Sequence, residues 1–154
     1  MTVKGKFVKK KGYSLLGNKV IPRGSNCFYL NLKNGFGLKV YYGLDRRDAC
    51  SEKVVEKIAR RMKRYSDIGA ATEPLKVIPV KVDIKYDGDK IKETCYAIKT
   101  KHMDMAYSKG KKEAKKKLAR KLEKNGITVT KDSMKDTNIG YDKKQGRFKL
   151  VDVA

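Results

Sequence analysis

Four residues with a capacity for phosphate and metal chemistry occur in order along the sequence. Gly24 lies in a turn between two apolar segments, where a glycine lets the backbone approach a ligand closely. Lys39 lies on the following apolar segment, and Asn138 and Asp152 flank a short segment near the C-terminus. A backbone turn and a lysine can cradle phosphate groups, while an amide oxygen and a carboxylate can hold Mg²⁺ against them. These residue types are therefore suited to a ligand that carries phosphate.

The net charge restricts the class of partner. The chain has 39 Lys and Arg residues against 17 Asp and Glu residues, a formal net charge of +22. So large an excess increases self-repulsion in the folded state and favours polyanionic partners, which include nucleic acid, nucleotides, phospholipid headgroups and acidic proteins. Charge alone does not distinguish among these partners, and part of it can serve solubility.

Other features argue against several classes of protein. A chain of 154 residues fits one domain, and no apolar run approaches the roughly 20 residues of a membrane span. The basic N-terminus has no apolar stretch behind it, so we expect no signal peptide, a cytoplasmic location and no membrane partner. Three scattered cysteines and a single histidine, His102, argue against a disulfide framework, a zinc site and a catalytic triad.

The segment around Lys39 is predicted to be a hairpin. Apolar and polar residues alternate over 28–32 and again over 36–42, which is the period of a half-buried strand. Asn34-Gly35 between them is a strong hairpin signal, because both turn positions tolerate positive φ. On the return strand the alternation places Lys39 on the face opposite the apolar residues.

The rest of the chain is predicted to continue as helix, hairpin, helix, hairpin. Ser51 is a suitable N-cap for a run of apolar residues at helical spacing, and Gly69 is a suitable end. Alternating patterns around glycine turns predict the hairpins. The segments are a helix over 51–69, a hairpin over 75–99, a helix over 109–124 and a hairpin over 139–153. Helices lying against an antiparallel sheet make the expected fold class α+β.

The order of these features resembles the protein-kinase-like fold. Gly24-Ser25-Asn26-Cys27-Phe28-Tyr29-Leu30 resembles the second half of the kinase glycine-rich loop, with Cys27 in the place of its last glycine. Gly37-Leu38-Lys39-Val40 is similar to the segment that holds the phosphate-binding lysine. The segment from Tyr96 to Met103 resembles the strand that leads into the adenine-contacting hinge. Asn138-Ile139-Gly140-Tyr141 resembles the end of the catalytic loop, and Leu150-Val151-Asp152 the start of the DFG element.

This resemblance implies a small protein that binds ATP with Mg²⁺. The metal and the lysine would together spread the negative charge that develops in phosphoryl transfer. It implies that Gly24, Ser25 and Lys39 contact the phosphates, that Gly37 leaves space for adenine, and that Glu56, or as a second choice Glu52, orients Lys39. Asn138 and Asp152 would bind the metal, and Asp132 would be the catalytic base.

The resemblance also implies an architecture. Residues 1–154 form a single domain, in which residues 1–103 are N-lobe-like, with one helix packed on an antiparallel sheet of about five strands. Residues 104–154 are a reduced C-lobe-like segment, made of a basic helix and a hairpin. By analogy, the small size and heavy basicity suit a bacteriophage accessory protein that acts on its host.

Departures from the kinase pattern leave catalysis open. Ser133 stands where the kinase base is expected, five residues before Asn138. Asp132 is one residue further back and Asp136 is two residues before Asn138, and either could serve in a remodelled loop. Val153-Ala154 replace the phenylalanine and glycine of the DFG element, and no activation segment follows in this sequence. Two forms of the prediction therefore stand: a phosphotransferase acting on a protein or other partner, or a pseudokinase that sequesters or inhibits a partner.

A second interpretation is a binding module for a polyanion such as nucleic acid or an acidic host protein. The segment 109–124 contains nine basic and two acidic residues, and on a helix Lys111, Lys115 and Lys121 can line one flank. Such a face binds a phosphate backbone by releasing counterions, with little sequence preference. A second basic cluster lies on the earlier helix, at Arg60, Arg61 and Arg64.

Overall fold

The computed structural model describes residues 1–10, 13–21, 23, 27–42, 51–86 and 88–153. Over these residues the fold is α+β, as predicted. The strands are β1 (Thr2–Lys10), β2 (Tyr13–Leu16), β3 (Lys19–Ile21), β4 (Cys27–Asn31), β5 (Phe36–Tyr41), β6 (Lys76–Tyr86), β7 (Asp89–Lys101), β8 (Ile139–Asp142) and β9 (Arg147–Leu150). The helices are α1 (Glu52–Asp67) and α2 (Lys111–Lys124), and a 3₁₀ turn covers Asp136–Asn138.

Seven strands form one sheet, in the order β3-β2-β1-β6-β7-β5-β4, and β8 and β9 form a separate two-stranded ribbon. The prediction of an antiparallel sheet of about five strands is wrong in two respects. The N-terminal strands extend the sheet, and β1 runs parallel to β6, with Val3 opposite Val82 and Phe7 opposite Tyr86. This pairing buries Val3 and Phe7 in the core of the sheet, so a contact distant in sequence decides the direction of β1.

The predicted hairpin around Lys39 is confirmed as β4 and β5. Gly35 in its turn has φ +83°, a conformation that glycine adopts without steric cost. Phe28, Leu38 and Val40 are fully buried in the hydrophobic cluster on one side of the sheet. The opposite face of the hairpin therefore carries Lys39.

Helix α1 begins and ends as predicted. The Ser51 side chain accepts a hydrogen bond from the Val54 N–H at 3.3 Å, which satisfies one of the free donors of the first turn. Val55 and Met62 are fully buried, so the apolar stripe faces the sheet. After the last helical residue the chain turns at Gly69, with φ +76°.

A second hydrophobic cluster joins the two helices, the sheet and the ribbon. Met62 of α1 and Ile98 of β7 share it with Leu118 and Leu122 of α2 and Leu150 of β9. The predicted second helix and last hairpin are both confirmed as elements. The division into an N-lobe-like and a C-lobe-like part stays a prediction.

The ribbon of β8 and β9 is held between two segments that flank it. Leu150 donates its N–H to the Ala70 carbonyl at 2.9 Å, in the segment after α1. Tyr141 and Asp104 exchange two main-chain hydrogen bonds of 2.8 and 2.9 Å, in the segment after β7. These main-chain contacts place the end of β9 next to the Lys39 face of β5.

Among the residues that the structure describes, neither helix is long and apolar enough to cross a membrane.

Candidate functional site

The candidate site is the face of the β4–β5 hairpin that lies opposite the buried apolar residues. The antiparallel register places six residues on this face in three cross-strand pairs, which are Cys27 with Tyr41, Tyr29 with Lys39 and Asn31 with Gly37. The C-terminal segment after β9 packs against one end of this row, and the segment after β7 packs against the other.

Lys39 forms an ion pair with Asp152 in the interior of the protein. The Lys39 Nζ lies 3.7 Å from the Asp152 Oδ2, and the two side chains are 2% and 9% exposed. The same carboxylate accepts a hydrogen bond from the Tyr41 hydroxyl at 3.0 Å and from the Cys27 thiol at 3.4 Å. Buried charges require partners of this kind, because an isolated charge in a low-dielectric interior is strongly destabilising.

The ionisation of the cluster follows from its burial. Burial raises the pKa of the Cys27 thiol to about 11, with Lys39 opposing the shift and Asp152 adding to it. Burial and then Asp152 hold the pKa of Tyr41 well above its ordinary value. Burial alone lowers the pKa of Lys39, but its Cys27 and Asp152 neighbours reverse the direction, and the net shift is upward.

Asn138 lies at the same end of the ribbon as Asp152. Its carbonyl accepts a hydrogen bond from the Val151 N–H at 2.7 Å, and its side-chain Nδ2 donates to the Asp132 carbonyl at 2.9 Å. Among the described residues there is no cluster of three or more His, Cys, Asp or Glu side chains suited to a metal. A Mg²⁺ ion held by Asn138 and Asp152 would therefore take its remaining ligands from phosphate and water, which is the usual arrangement at nucleotide sites.

Three other predicted site residues are placed differently. Glu56 is exposed on α1, so the carboxylate beside Lys39 is that of Asp152, and the predicted orientation of Lys39 by Glu56 needs correction. Asp132 is also exposed and pairs with Lys135 at 3.1 Å. Gly37 is buried, but the space above it holds the ring of Tyr29. The predicted phosphate-contacting residues Gly24 and Ser25 lie outside the described part of the chain.

The basic residues divide into inward and outward groups. Lys111 is 8% exposed and donates to the Asp136 carbonyl at 3.1 Å, while Lys115 pairs with the Asp136 carboxylate. Burial lowers the pKa of Lys111. Lys111 and Lys115 thus secure the segment before Asn138, whereas a free basic flank was predicted for them. The outward surface of α2 is a shallow hollow lined by Lys117, Arg120, Lys121, Glu123 and Lys124.

The three arginines of the cluster on α1, Arg60, Arg61 and Arg64, are all exposed, and one of them also contacts the C-terminal segment. Arg61 donates a hydrogen bond to the Val153 carbonyl at 3.2 Å, which ties α1 to the residue after Asp152. Arg61 therefore helps to position the C-terminal segment of the site.

Comparison with protein-family models and with curated protein sequences finds no match.

Sequence reasoning missed three residues that line the site, Cys27, Tyr29 and Tyr41. Their signal was present in the alternation of the hairpin, because every second residue from Lys39 and its cross-strand partners must share one face. The hydrogen bonds that Cys27 and Tyr41 donate to Asp152 depend on how the C-terminal segment packs against the hairpin, which alternation does not specify.

Proposed function

We propose that the protein binds ATP together with Mg²⁺ at the Lys39–Asp152 site, in a kinase-like manner. The observation that carries the proposal is the buried ion pair itself. The resemblance assigned Lys39 to phosphate and Asp152 to metal, from opposite ends of the chain, and the fold brings the two side chains together. Asn138, the second implied metal ligand, is joined to the same segment through Val151.

The chemistry of the pair supports a functional role. A buried ion pair is weak evidence for stability, because desolvation of both charges can exceed their attraction. Titratable groups with shifted pKa values that share a site are more often found where a ligand is bound or transformed. An ammonium and a carboxylate side by side offer one group for phosphate oxygens and one for the metal that neutralises them.

Binding requires the pair to exchange partners. In the structure the Asp152 carboxylate is occupied by Lys39, Tyr41 and Cys27. When nucleotide binds, the Lys39 ammonium group would pair with the phosphates and the Asp152 carboxylate with Mg²⁺. Each charged side chain would then still have a partner of opposite charge. Phosphoryl transfer to a protein or other partner is the enzymatic form of the proposal. A pseudokinase that binds nucleotide and a partner without transfer is the other, since Asp132 faces solvent beside Lys135.

Calorimetric titration of ATP with and without Mg²⁺, at about 0.15 M salt, tests the proposal. We expect Mg²⁺-dependent binding that Asp152→Asn weakens by roughly 10- to 100-fold, the loss typical of a damaged metal site. Asp142→Asn is the matched control, because Asp142 is a carboxylate of the same ribbon that pairs with Lys149 at 3.4 Å. Binding that ignores Mg²⁺, or that Asp142→Asn weakens as much as Asp152→Asn, would contradict this site.

A second candidate function, polyanion binding, is favoured by the outward hollow on α2. Lys117, Arg120 and Lys124 are exposed there, on a chain of net charge +22. If this face binds a nucleic-acid backbone, replacing all three by glutamine should reduce the slope of log K against log salt by about 2–3. Replacing Lys4, Lys6 and Lys9, exposed on β1, removes the same charge elsewhere and should change the slope little. Equal effects of the two sets would argue against a defined face.

A further inference from the structure

The ring of Tyr29 lies in the site, next to Lys39 and directly over Gly37. Tyr29 is opposite Lys39 in the β4–β5 register and is only 2% exposed. A Cβ atom added to Gly37 would come within 2.6 Å of the Tyr29 Cζ and 3.1 Å of its Cε2, well inside van der Waals contact. The ring therefore fills the space that the missing side chain of Gly37 leaves open.

The hydroxyl group of Tyr29 is hydrogen-bonded to the main chain at the end of β7 and just beyond it. The Tyr29 Oη accepts a hydrogen bond from the Met103 N–H at 3.1 Å and donates to the Lys101 carbonyl at 3.5 Å. Met103 and Val151, both fully buried, form one hydrophobic cluster with Tyr29. The phenol is thus a flat group beside apolar side chains, with its one polar atom held by a backbone donor, a backbone acceptor and the Thr100 side chain.

These contacts are the ones that a flat heterocycle would need. Small-molecule sites combine apolar walls with a few backbone N–H and C=O groups that fix orientation. Adenine has an acceptor ring nitrogen beside an amino donor, so its edge could bind the same Met103 N–H and Lys101 carbonyl. Lys39, on the neighbouring strand, would then lie on the side where a nucleotide carries its phosphates. Base and phenol cannot occupy the slot together.

We propose that Tyr29 is a built-in plug of the nucleobase slot, which must swing out before a nucleotide binds. This inference rests on the proposed nucleotide-binding function and adds its regulation. Because the ligand binds only molecules whose slot is empty, the apparent affinity is reduced by the fraction of molecules in that open state. Removing the plug raises that fraction and therefore the affinity.

The test is titration of adenosine and of ATP with Mg²⁺ into wild type, Tyr29→Ala and Tyr29→Phe. Adenosine probes the slot without the phosphate and metal contacts. We expect Tyr29→Ala to bind both ligands at least tenfold more tightly than wild type does. Tyr29→Phe keeps the ring but loses the bond to Met103, so a smaller gain is expected. Circular dichroism checks the fold of each variant, and Tyr29→Leu, which fills more of the space, replaces the alanine variant if that one unfolds.

Phe28→Leu is the matched control for a general loosening of the hairpin. Phe28 is the fully buried neighbour of Tyr29 on the opposite face of β4, so its truncation destabilises the strand without opening the slot. If Phe28→Leu increased the affinity as much as Tyr29→Ala does, the proposed role of Tyr29 as a plug would be contradicted.

The outcomes separate the plug from the function on which it rests. If wild type and Tyr29→Ala bound ATP with equal affinity and binding still depended on Mg²⁺, the proposed role of Tyr29 would be wrong. The proposed nucleotide site would not be affected. Binding seen only when Tyr29 is truncated would support both. If no folded variant bound either ligand, both the plug and the proposed function would be overturned.

Discussion

Replacing Lys39 with methionine is expected to lower the free energy of unfolding by about 3–5 kcal/mol, the loss seen when one partner of a buried ion pair is removed. The Lys39 side chain is 2% exposed and its partner Asp152 is 9% exposed. Methionine fills a similar volume but removes the ammonium group that lies 3.7 Å from the buried Asp152 carboxylate. Urea unfolding at pH 7, with the m-value checked against wild type, measures the loss.

The double variant Lys39→Met with Asp152→Asn separates the charge from the packing. Since it removes both charges of the ion pair together, it should be more stable than Lys39→Met alone, and the cycle should show a coupling of about 1–3 kcal/mol. Additive losses in the two single variants would show that the two side chains do not stabilise each other.

Lys149→Met is the matched control on the ribbon. Lys149 pairs with Asp142 at 3.4 Å, and both side chains are largely buried. The Asp142 carboxylate also accepts hydrogen bonds from the Lys144 and Gln145 N–H groups at 3.0 and 3.1 Å, whereas the donors to Asp152 include a thiol, which is a weak donor. The Lys149 and Asp142 side chains, at 10% and 13%, are also more exposed to water than Lys39 and Asp152. The loss should therefore be smaller than for Lys39→Met, at about 1 kcal/mol.

The expected instability of Lys39→Met also decides which variants are useful for binding studies. A Lys39 variant that is partly unfolded at the assay temperature would lose nucleotide binding because less of the protein is folded, whatever the role of the lysine. Asp152→Asn keeps the size of the side chain and a polar oxygen that can accept from Tyr41. It is therefore the better probe of the metal role.

The second large effect is expected for Gly37→Ala, which should lower the free energy of unfolding by about 2–3 kcal/mol, in the range of overpacked cores. Gly37 lies within β5, where alanine is acceptable to the backbone. The loss would come from the collision of the new methyl group with the Tyr29 ring, which lies 2.6 Å away at Cζ. Chemical denaturation of the purified variant measures it.

The same substitution in a Tyr29→Leu background is the control. Leucine has no atoms at the position of the phenol edge, so the added methyl group should then cost less than about 1 kcal/mol. An equal loss in both backgrounds would mean that the strand itself, and not the ring over it, requires glycine at position 37.

The pattern of neighbouring residues was sufficient to predict most of the helices and strands. The hairpin of β4 and β5 follows from period-2 alternation around Asn34-Gly35, and α1 follows from Ser51 and an apolar stripe at helical spacing. The face occupied by Lys39 was predicted as well, because alternation along a strand leaves only two choices. These properties depend on neighbours within a few residues, and no distant contact was needed to decide them.

Contacts between distant segments decided the rest. The parallel pairing of β1 with β6 and the inward direction of Lys111 depend on which surface each element meets, which periodicity does not specify. The resemblance placed Lys39 and Asp152 in one site, but it gave the lysine the wrong carboxylate, since Glu56 lies on an exposed face of α1.

The position of Tyr29 over Gly37 also depends partly on local sequence and partly on tertiary packing. The sequence by itself determined that both residues lie on the Lys39 face of the hairpin, because strand alternation and the turn decide it. Only the tertiary structure decided that the phenol reaches the main chain of Lys101 and Met103. That contact requires β7 to pair with β5, a long-range packing event whose energy no local pattern encodes.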